Sequence, residues 1–216
     1  GELCVYGTGA MTSYSNYSSN TAPWYSHRDT VKSVVVESGI TSIGSYAFYS
    51  CGQMTSVSIA STVTSIKGYA FDSCTSLQKV TIPNGTTSIG SCAFYGCTAL
   101  TGATIPSSVT SIGSSAFYNC SSLKSLYIPS SVTSIGSSAF TGCSSLSITY
   151  QGTVRDWAKI NSSIFQASCS NGTVCRYGSC GDFAKYTIDS YGELCVYGTG
   201  AMTSYSNYSS NTAPWY

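Results

Sequence analysis

Apolar residues recur along this chain at a fixed interval of 23 positions. From Val31 the sequence reads without gaps as VKSVVVESGITSIGSYAFYSCGQ, MTSVSIASTVTSIKGYAFDSCTS, LQKVTIPNGTTSIGSCAFYGCTA, LTGATIPSSVTSIGSSAFYNCSS and LKSLYIPSSVTSIGSSAFTGCSS. These five units end at Ser145, and a sixth, truncated unit starts at Leu146. Aliphatic residues hold the first column (Val31, Met54, Leu77, Leu100, Leu123, Leu146), the sixth (Val36, Ile59, Ile82, Ile105, Ile128) and the thirteenth (Ile43, Ile66, Ile89, Ile112, Ile135). Residues stack on their own copies in this way when each unit is one coil of a solenoid. The β-branched stretch around the sixth column predicts one short strand per coil, paired in parallel with its neighbours about 4.8 Å away. Pro83, Pro106 and Pro129 stop that strand. Gly44, Gly90, Gly113 and Gly136 mark a turn, a column that Lys67 breaks. An Ala-Phe pair (Ala47-Phe48, Ala70-Phe71, Ala93-Phe94, Ala116-Phe117, Ala139-Phe140) fills the opposite side as a ladder of offset rings.

The flanks follow other patterns. Leu146, Ile148 and Tyr150 alternate as a closing strand, and Trp157 is expected to cover the end of the apolar column. Asp156 to Ile160 reads as a helical turn, and residues 161–181, rich in Ser, Cys and Gly, as loop. Tyr186 and Ile188, then Leu194 and Val196, alternate around Ser190-Tyr191-Gly192, which predicts a β-hairpin. The second strand of that hairpin opens a stretch, GELCVYGTGAMTSYSNYSSNTAPWY, that occurs identically at residues 1–25 and 192–216, an offset of 191 residues. Glu2 to Tyr6 therefore reads as a second hairpin strand without its first, and Trp24 and Trp215 as anchors at the entry to a solenoid. The expected organisation is a junction over 1–30, a solenoid over 31–150, a cap and Cys-containing loop over 151–182, and a hairpin with linker over 183–216. Gly1 is not an initiator Met, and no signal-like segment follows. The expectation is a processed or excerpted piece of a periodic molecule, with an unpaired strand at one end that invites association.

The pattern L-x-x-(V/L)-x-I-P-x-x-V-T-S-I-G-x-x-A-F-x-x-C over residues 31–150 resembles the BspA-like leucine-rich repeats, known mostly from cell-surface proteins of bacteria and some protists. The resemblance implies a curved leucine-rich-repeat solenoid of short parallel strands and irregular or 3-10 turns, here with a flanking β-hairpin module. It also implies surface exposure and roles in adhesion or cell contact, and no catalytic residues.

Composition narrows the function further. Charged residues are 8% of the chain and the formal net charge is +1, so no basic stripe recruits nucleic acid and no acidic tail is present. No apolar run approaches the roughly 18 residues of a membrane span. Such an uncharged, hydroxyl-rich surface suits an extracellular or wall-associated place. Of the 11 cysteines, five recur with the period (Cys51, Cys74, Cys97, Cys120, Cys143) and are expected to form a reduced, buried ladder. Cys4, its copy Cys195, Cys92, Cys169, Cys175 and Cys180 lie off it. A disulfide among Cys169, Cys175, Cys180 and Cys195 is expected, with Cys4 as the copy of Cys195; the rival zinc site lacks a CxxC pair.

The one histidine, His27, stands beside Arg28 and Asp29. No second histidine, carboxylate pair or G-x-S-x-G accompanies it, so no enzyme is expected, and no cofactor, since GTGAM at Gly7 lacks the third glycine of a dinucleotide loop. Sequons at Asn16, Asn84, Asn161, Asn171 and Asn207 are candidate N-glycosylation sites, Asn16 and Asn207 foremost, whereas Asn119 precedes a ladder cysteine. Tyr14, Tyr17, Tyr25, Tyr177 and Tyr191 are expected on the surface as contact area. Two functions follow. The first is a structural unit of an extracellular fibre, built head to tail by self-association or as one long chain. The second is an adhesin whose concave strand face holds a protein or glycan, although Ser33, Ser56, Lys79, Gly102 and Ser125 on that face form no cluster of anchors.

Overall fold

Each 23-residue unit forms one coil in the computed structural model, which describes residues 1–15, 20–151 and 160 and, by backbone alone, 176–179, 184–188 and 194–198. The first side of each coil is a strand: Ser33–Val36 (β3), Ser56–Ile59 (β5), Lys79–Thr81 (β7), Gly102–Thr104 (β9), Ser125–Ile128 (β11) and Ser147–Tyr150 (β13). Together with Glu2–Val5 (β1) they make a seven-stranded sheet in the order β1-β3-β5-β7-β9-β11-β13. Neighbours pair in parallel, as Val34 with Val57 and Leu126 with Ile148. The last coil is one residue short, so that Ser147 sits opposite Ser125.

The second side carries a further strand that the sequence reading did not anticipate. Ile40–Ile43 (β4), Ser65–Ile66 (β6), Ser88–Ile89 (β8), Ser111–Ile112 (β10) and Ser134–Ile135 (β12), with Gly9–Ala10 (β2), form a six-stranded parallel sheet. Its cause is the alternation in V-T-S-I. Val63, Val109 and Val132 and the isoleucines are buried, while the threonines between them are exposed. Each threonine hydroxyl also donates to the threonine carbonyl one coil earlier: Thr64 to Thr41 (3.0 Å), Thr87 to Thr64 (3.2 Å), Thr110 to Thr87 (3.2 Å) and Thr133 to Thr110 (3.3 Å).

The third side is a run of turns, yet it too is laced from coil to coil. The amides of Phe48, Phe71, Phe94 and Phe117 donate to the carbonyls of Ala70, Ala93, Ala116 and Ala139, each at 2.8 Å. Two residues per coil take left-handed backbone to make this possible, among them Tyr69 (φ 60°) with Ser73 (φ 60°) and Ser115 (φ 55°) with Asn119 (φ 58°). Such conformations cost about 1–3 kcal/mol each outside glycine, and the inter-coil bonds hold them. Inside, the Phe48, Phe71, Phe94 and Phe117 rings are fully buried and stack at 5.2 Å between centroids, and Phe140 continues the stack at 5.7 Å.

The N-terminal residues enter the solenoid rather than standing apart as a junction. β1 pairs in parallel with β3, Glu2 opposite Ser33 and Val5 opposite Val36, which makes the first coil 31 residues long instead of 23. Gly9 and Ala10 extend the second sheet. Trp24 then completes the third side, stacked on Phe48 at 5.8 Å and donating through Nε1 to the Ala47 carbonyl at 2.7 Å. The strand expected to lack a partner therefore has one, because Leu3 and Val5 alternate in the same phase as Val34 and Val36. A separate antiparallel sheet holds Arg176–Ser179 (β14), Ala184–Ile188 (β15) and Leu194–Gly198 (β16) in that order. β14 lies within the Ser-, Cys- and Gly-rich stretch 161–181, expected as loop.

The close coil contacts set apart two glycines. A Cβ at Gly113 would overlap the Ser91 amide and the Gly90 carbonyl carbon, whereas one at Gly102 would meet no atom within 4 Å. Gly113→Ala is expected to cost about 1–3 kcal/mol and Gly102→Ala to stay within about 0.5 kcal/mol. Phe94→Ala should cost about 3–5 kcal/mol. Denaturant unfolding of the three variants checks the order.

Candidate binding face and the open end of the solenoid

From β5 to β13 the outward positions of the seven-stranded sheet are short and polar, except at one place. Gly102 leaves a dip between two coils, with Lys79 on one rim and Tyr127 on the other; Thr81, Thr104, Ser125 and Thr149 supply hydroxyls around it. The dip encloses about 310 Å³. Gly102 is not needed there for steric reasons, as its empty surroundings show, so its consequence is the opening itself. Tyr127 is 56% exposed and Lys79 is exposed. An aromatic face, an ammonium and four hydroxyls can contact a flat polar ligand by stacking and hydrogen bonding.

The second candidate region is the end of the first coil. Leu3 and Val5 are half-buried there, although the equivalent Val34 and Val36 are fully covered. Pro23, Trp24 and Val31 line a hollow of about 360 Å³ beside Leu3. His27, Arg28 and Asp29 lie in a 3-10 turn, Tyr25–Thr30, beside this end. Arg28 donates to the Tyr25 carbonyl at 3.0 Å and sits 4.4 Å from the Tyr25 ring, and its pair with Asp29 is a surface contact at 3.8 Å. Among the described residues no group of three or more His, Cys, Asp or Glu side chains is gathered that could hold a metal ion, and no helix is long and apolar enough to cross a membrane.

The periodic cysteines are buried free thiols. Cys74, Cys97, Cys120 and Cys143 each donate to the carbonyl of a phenylalanine one coil earlier, at 3.1 to 3.2 Å. The donated bond keeps a polar group satisfied inside an apolar stack. Burial pushes Cys51 and Cys97 up to about 12 and Cys74 well above its ordinary 9.0. The bond to Cys143, then burial, raises Cys120. Cys4 is an exposed free thiol 3.7 Å from the Glu2 carboxylate, and Cys92 is half-buried.

Other expected site residues fall in different surroundings. Asn84 is exposed, while the hydroxyl of its sequon partner Thr86 is buried and donates to the Val63 carbonyl at 2.9 Å. Tyr14 and Tyr25 are half-buried rather than fully exposed, packed on Trp24 and Tyr49. Sequence reasoning missed surface stacks between coils, Tyr46 on Tyr69 at 4.6 Å and Tyr95 on Tyr118 at 4.8 Å; tyrosines 23 residues apart were the available signal. Tyr17, Tyr191, Asn16, Asn161, Asn171, Asn207, Trp157, Trp215, Cys169, Cys175 and Cys180 and the side chains of Tyr177 and Cys195 lie outside the described residues.

Two parallel sheets, a phenylalanine stack and a thiol ladder repeated on each coil define a leucine-rich-repeat solenoid. The family model of the BspA type Leucine rich repeat region matches residues 31–171 in six copies, and the chain belongs to that family. Among solved structures, a leucine-rich repeat protein of T. pallidum (TpLRR) is 27% identical with a TM-score of 0.57, over 69% of this chain and 75% of that one. The pneumococcal vaccine antigen PcpA is 22% identical with a TM-score of 0.54, over 69% of this chain and 40% of that one. A leucine rich cell surface protein of Faecalibacterium prausnitzii A2-165 is 24% identical with a TM-score of 0.50, over 89% and 52%. The last two likenesses show the shared fold. A comparison with curated proteins found no match.

The thiols give a prediction with a definite sign. The folded values of Cys51 and Cys97 lie above the unfolded 9.0, whereas the bond to Cys120 lowers Cys143, so at Cys51 and Cys97 the folded state holds protons that the unfolded state loses. Their contribution is complete below pH 9 and lost as pH rises toward 12. Melting temperature should fall across that window, and Cys97→Ala should flatten the fall. Among the described thiols, a reagent at neutral pH should modify Cys4 first, then Cys92. Cys74, Cys97 and Cys120 should react only after denaturation, as read by peptide mass.

Proposed function

We propose that this chain is a structural repeat unit of an extracellular array, in which BspA-type solenoids follow one another at the 191-residue offset of the duplicated stretch. The observation that carries the reading is the dual use of one sequence. Leu3–Val5 pairs in parallel with β3, and the identical Leu194–Val196 pairs antiparallel with β15. A strand suited to both neighbours is what a junction between consecutive units requires. The charge-poor, hydroxyl-rich surface suits an extracellular or cell-surface place, which the family resemblance also implies. No cofactor or catalytic group enters this reading, and the partners are further copies of the unit.

The dip over Gly102 favours a second reading, a binding module. Tyr127 and Lys79 are the side chains there with the reach and chemistry to hold a glycan ring or a carboxylate-bearing segment of a protein.

The two readings separate by experiment. Protein extracted from its native surface and run on a denaturing, reducing gel should have a mass several times the 22.6 kDa of this chain. A native polypeptide of about one unit overturns the covalent array. In a glycan and peptide binding screen, a ligand lost on Tyr127→Ala and Lys79→Ala together, with the melting temperature unchanged, would favour the binding module. Binding that is absent, or indifferent to both substitutions, removes it.

A further inference from the structure

The outer edge of β1 is where the regular lacing of the first sheet stops. Among the described residues no strand pairs with it. The Gly1 and Val5 carbonyls face β3, accepting from Lys32 at 2.8 Å and Glu37 at 2.9 Å. Backbone groups alternate between the two edges of a strand, so Glu2, Cys4 and Tyr6 turn theirs away from β3. The side-chain layer is open at the same end, with Leu3 and Val5 half-buried, the hollow beside Trp24, and Tyr6 82% exposed.

The same residues recur at Gly192–Gly198, and there the strand has the kind of neighbour that β1 lacks. β15 runs antiparallel to β16 with Ile188 opposite Leu194, Thr187 opposite Cys195 and Tyr186 opposite Val196. Leu194, Cys195 and Val196 are the copies of Leu3, Cys4 and Val5.

We propose that the outer edge of β1 docks the Ala184–Ile188 strand of a second copy of this chain, antiparallel and in that register: Ile188 opposite Leu3, Thr187 opposite Cys4, Tyr186 opposite Val5. This rests on the array reading above and gives it a strand-level contact. β1 of one copy takes the place of β16 in another, residue for residue, so the pairing lost equals the pairing gained. What the exchange adds is cover for the hollow beside Trp24 at the end of the first coil. Residues directly opposite across a strand pair share a face, so Ile188 and Tyr186 fall at the positions where the apolar end is open. The contact joins unlike surfaces and leaves one of each free, so it propagates as an open series. Copies that share one chain at the 191-residue offset need no exchange, because Leu194–Gly198 is then the β1 of the next copy.

The test uses the full chain. Its own β16 competes for β15 at high effective concentration; in the proposed register the Cys4 amide faces β15, and so does that of its copy Cys195, so Cys195→Pro removes the competitor. Light scattering of Cys195→Pro should show mass rising with concentration through successive oligomers. Adding Cys4→Pro, which loses only an outward amide, should return the chain to monomer with the melting of the solenoid unchanged. Opposed residues of an antiparallel pair have Cα atoms about 4.5–5.5 Å apart, within disulfide reach. In Thr187→Cys/Cys195→Pro, air oxidation should therefore link Cys4 to the cysteine introduced at 187 of another copy, identified by peptide mass. A folded Cys195→Pro that stays monomeric at every concentration overturns the proposal. So do oligomers that survive Cys4→Pro or lack the 4–187 link, which would place the contact elsewhere. The array reading is judged separately by the native mass, so either can fail without the other.

Discussion

Registration of each coil on the next is the constraint from which the rest of this structure follows. All three sides are laced by inter-coil backbone bonds: the long strand, the two-residue Ser-Ile strand, and the turn that carries Ala-Phe. Any residue therefore lies against its own copy 23 positions away and must tolerate it. Phenylalanine satisfies this by stacking, threonine by donating to its neighbour's carbonyl, and cysteine by donating to the phenylalanine carbonyl of the coil before. Glycine at 113 satisfies it by having no side chain to collide. Left-handed residues such as Ser115 and Asn119 are unfavourable alone and are held by the lacing on both sides.

That constraint explains what the sequence reveals and what it hides. A column filled by one residue type is visible as a period, so the solenoid, the parallel long strands and the phenylalanine stack are readable from Val31 onward. The Ser-Ile strand is harder to see, because two paired residues between polar neighbours and a glycine look like a turn. The 31-residue first coil is hidden for a different reason. Its extra residues break the period, although Leu3 and Val5 keep the phase of Val34 and Val36. The dip over Gly102 required knowing that Lys79 and Tyr127 stand on the two coils that flank the Gly102 coil, while the sequence positions showed only that no cluster of anchors was present.

The same lacing shapes function. It builds a surface of hydroxyls, short side chains and stacked tyrosines, with thiols, rings and aliphatics turned inward, and no described residues gather into a metal-binding group. Such a surface suits contact, along the strand face or at the ends of the stack. A solenoid is quasi-one-dimensional, so its terminal coils must be covered by something of matching geometry. The duplicated stretch has that geometry twice over, parallel to β3 in one copy and antiparallel to β15 in the other.

The central claim is that one strand serves both neighbours at once. Amide hydrogen exchange on two units fused at the 191-residue offset tests it most directly. The account predicts that the amides of Leu194, Cys195, Val196 and Tyr197 are all as protected as those of the inner strand β5. Alternate amides that exchange as fast as those of a strand with one bare edge would contradict it.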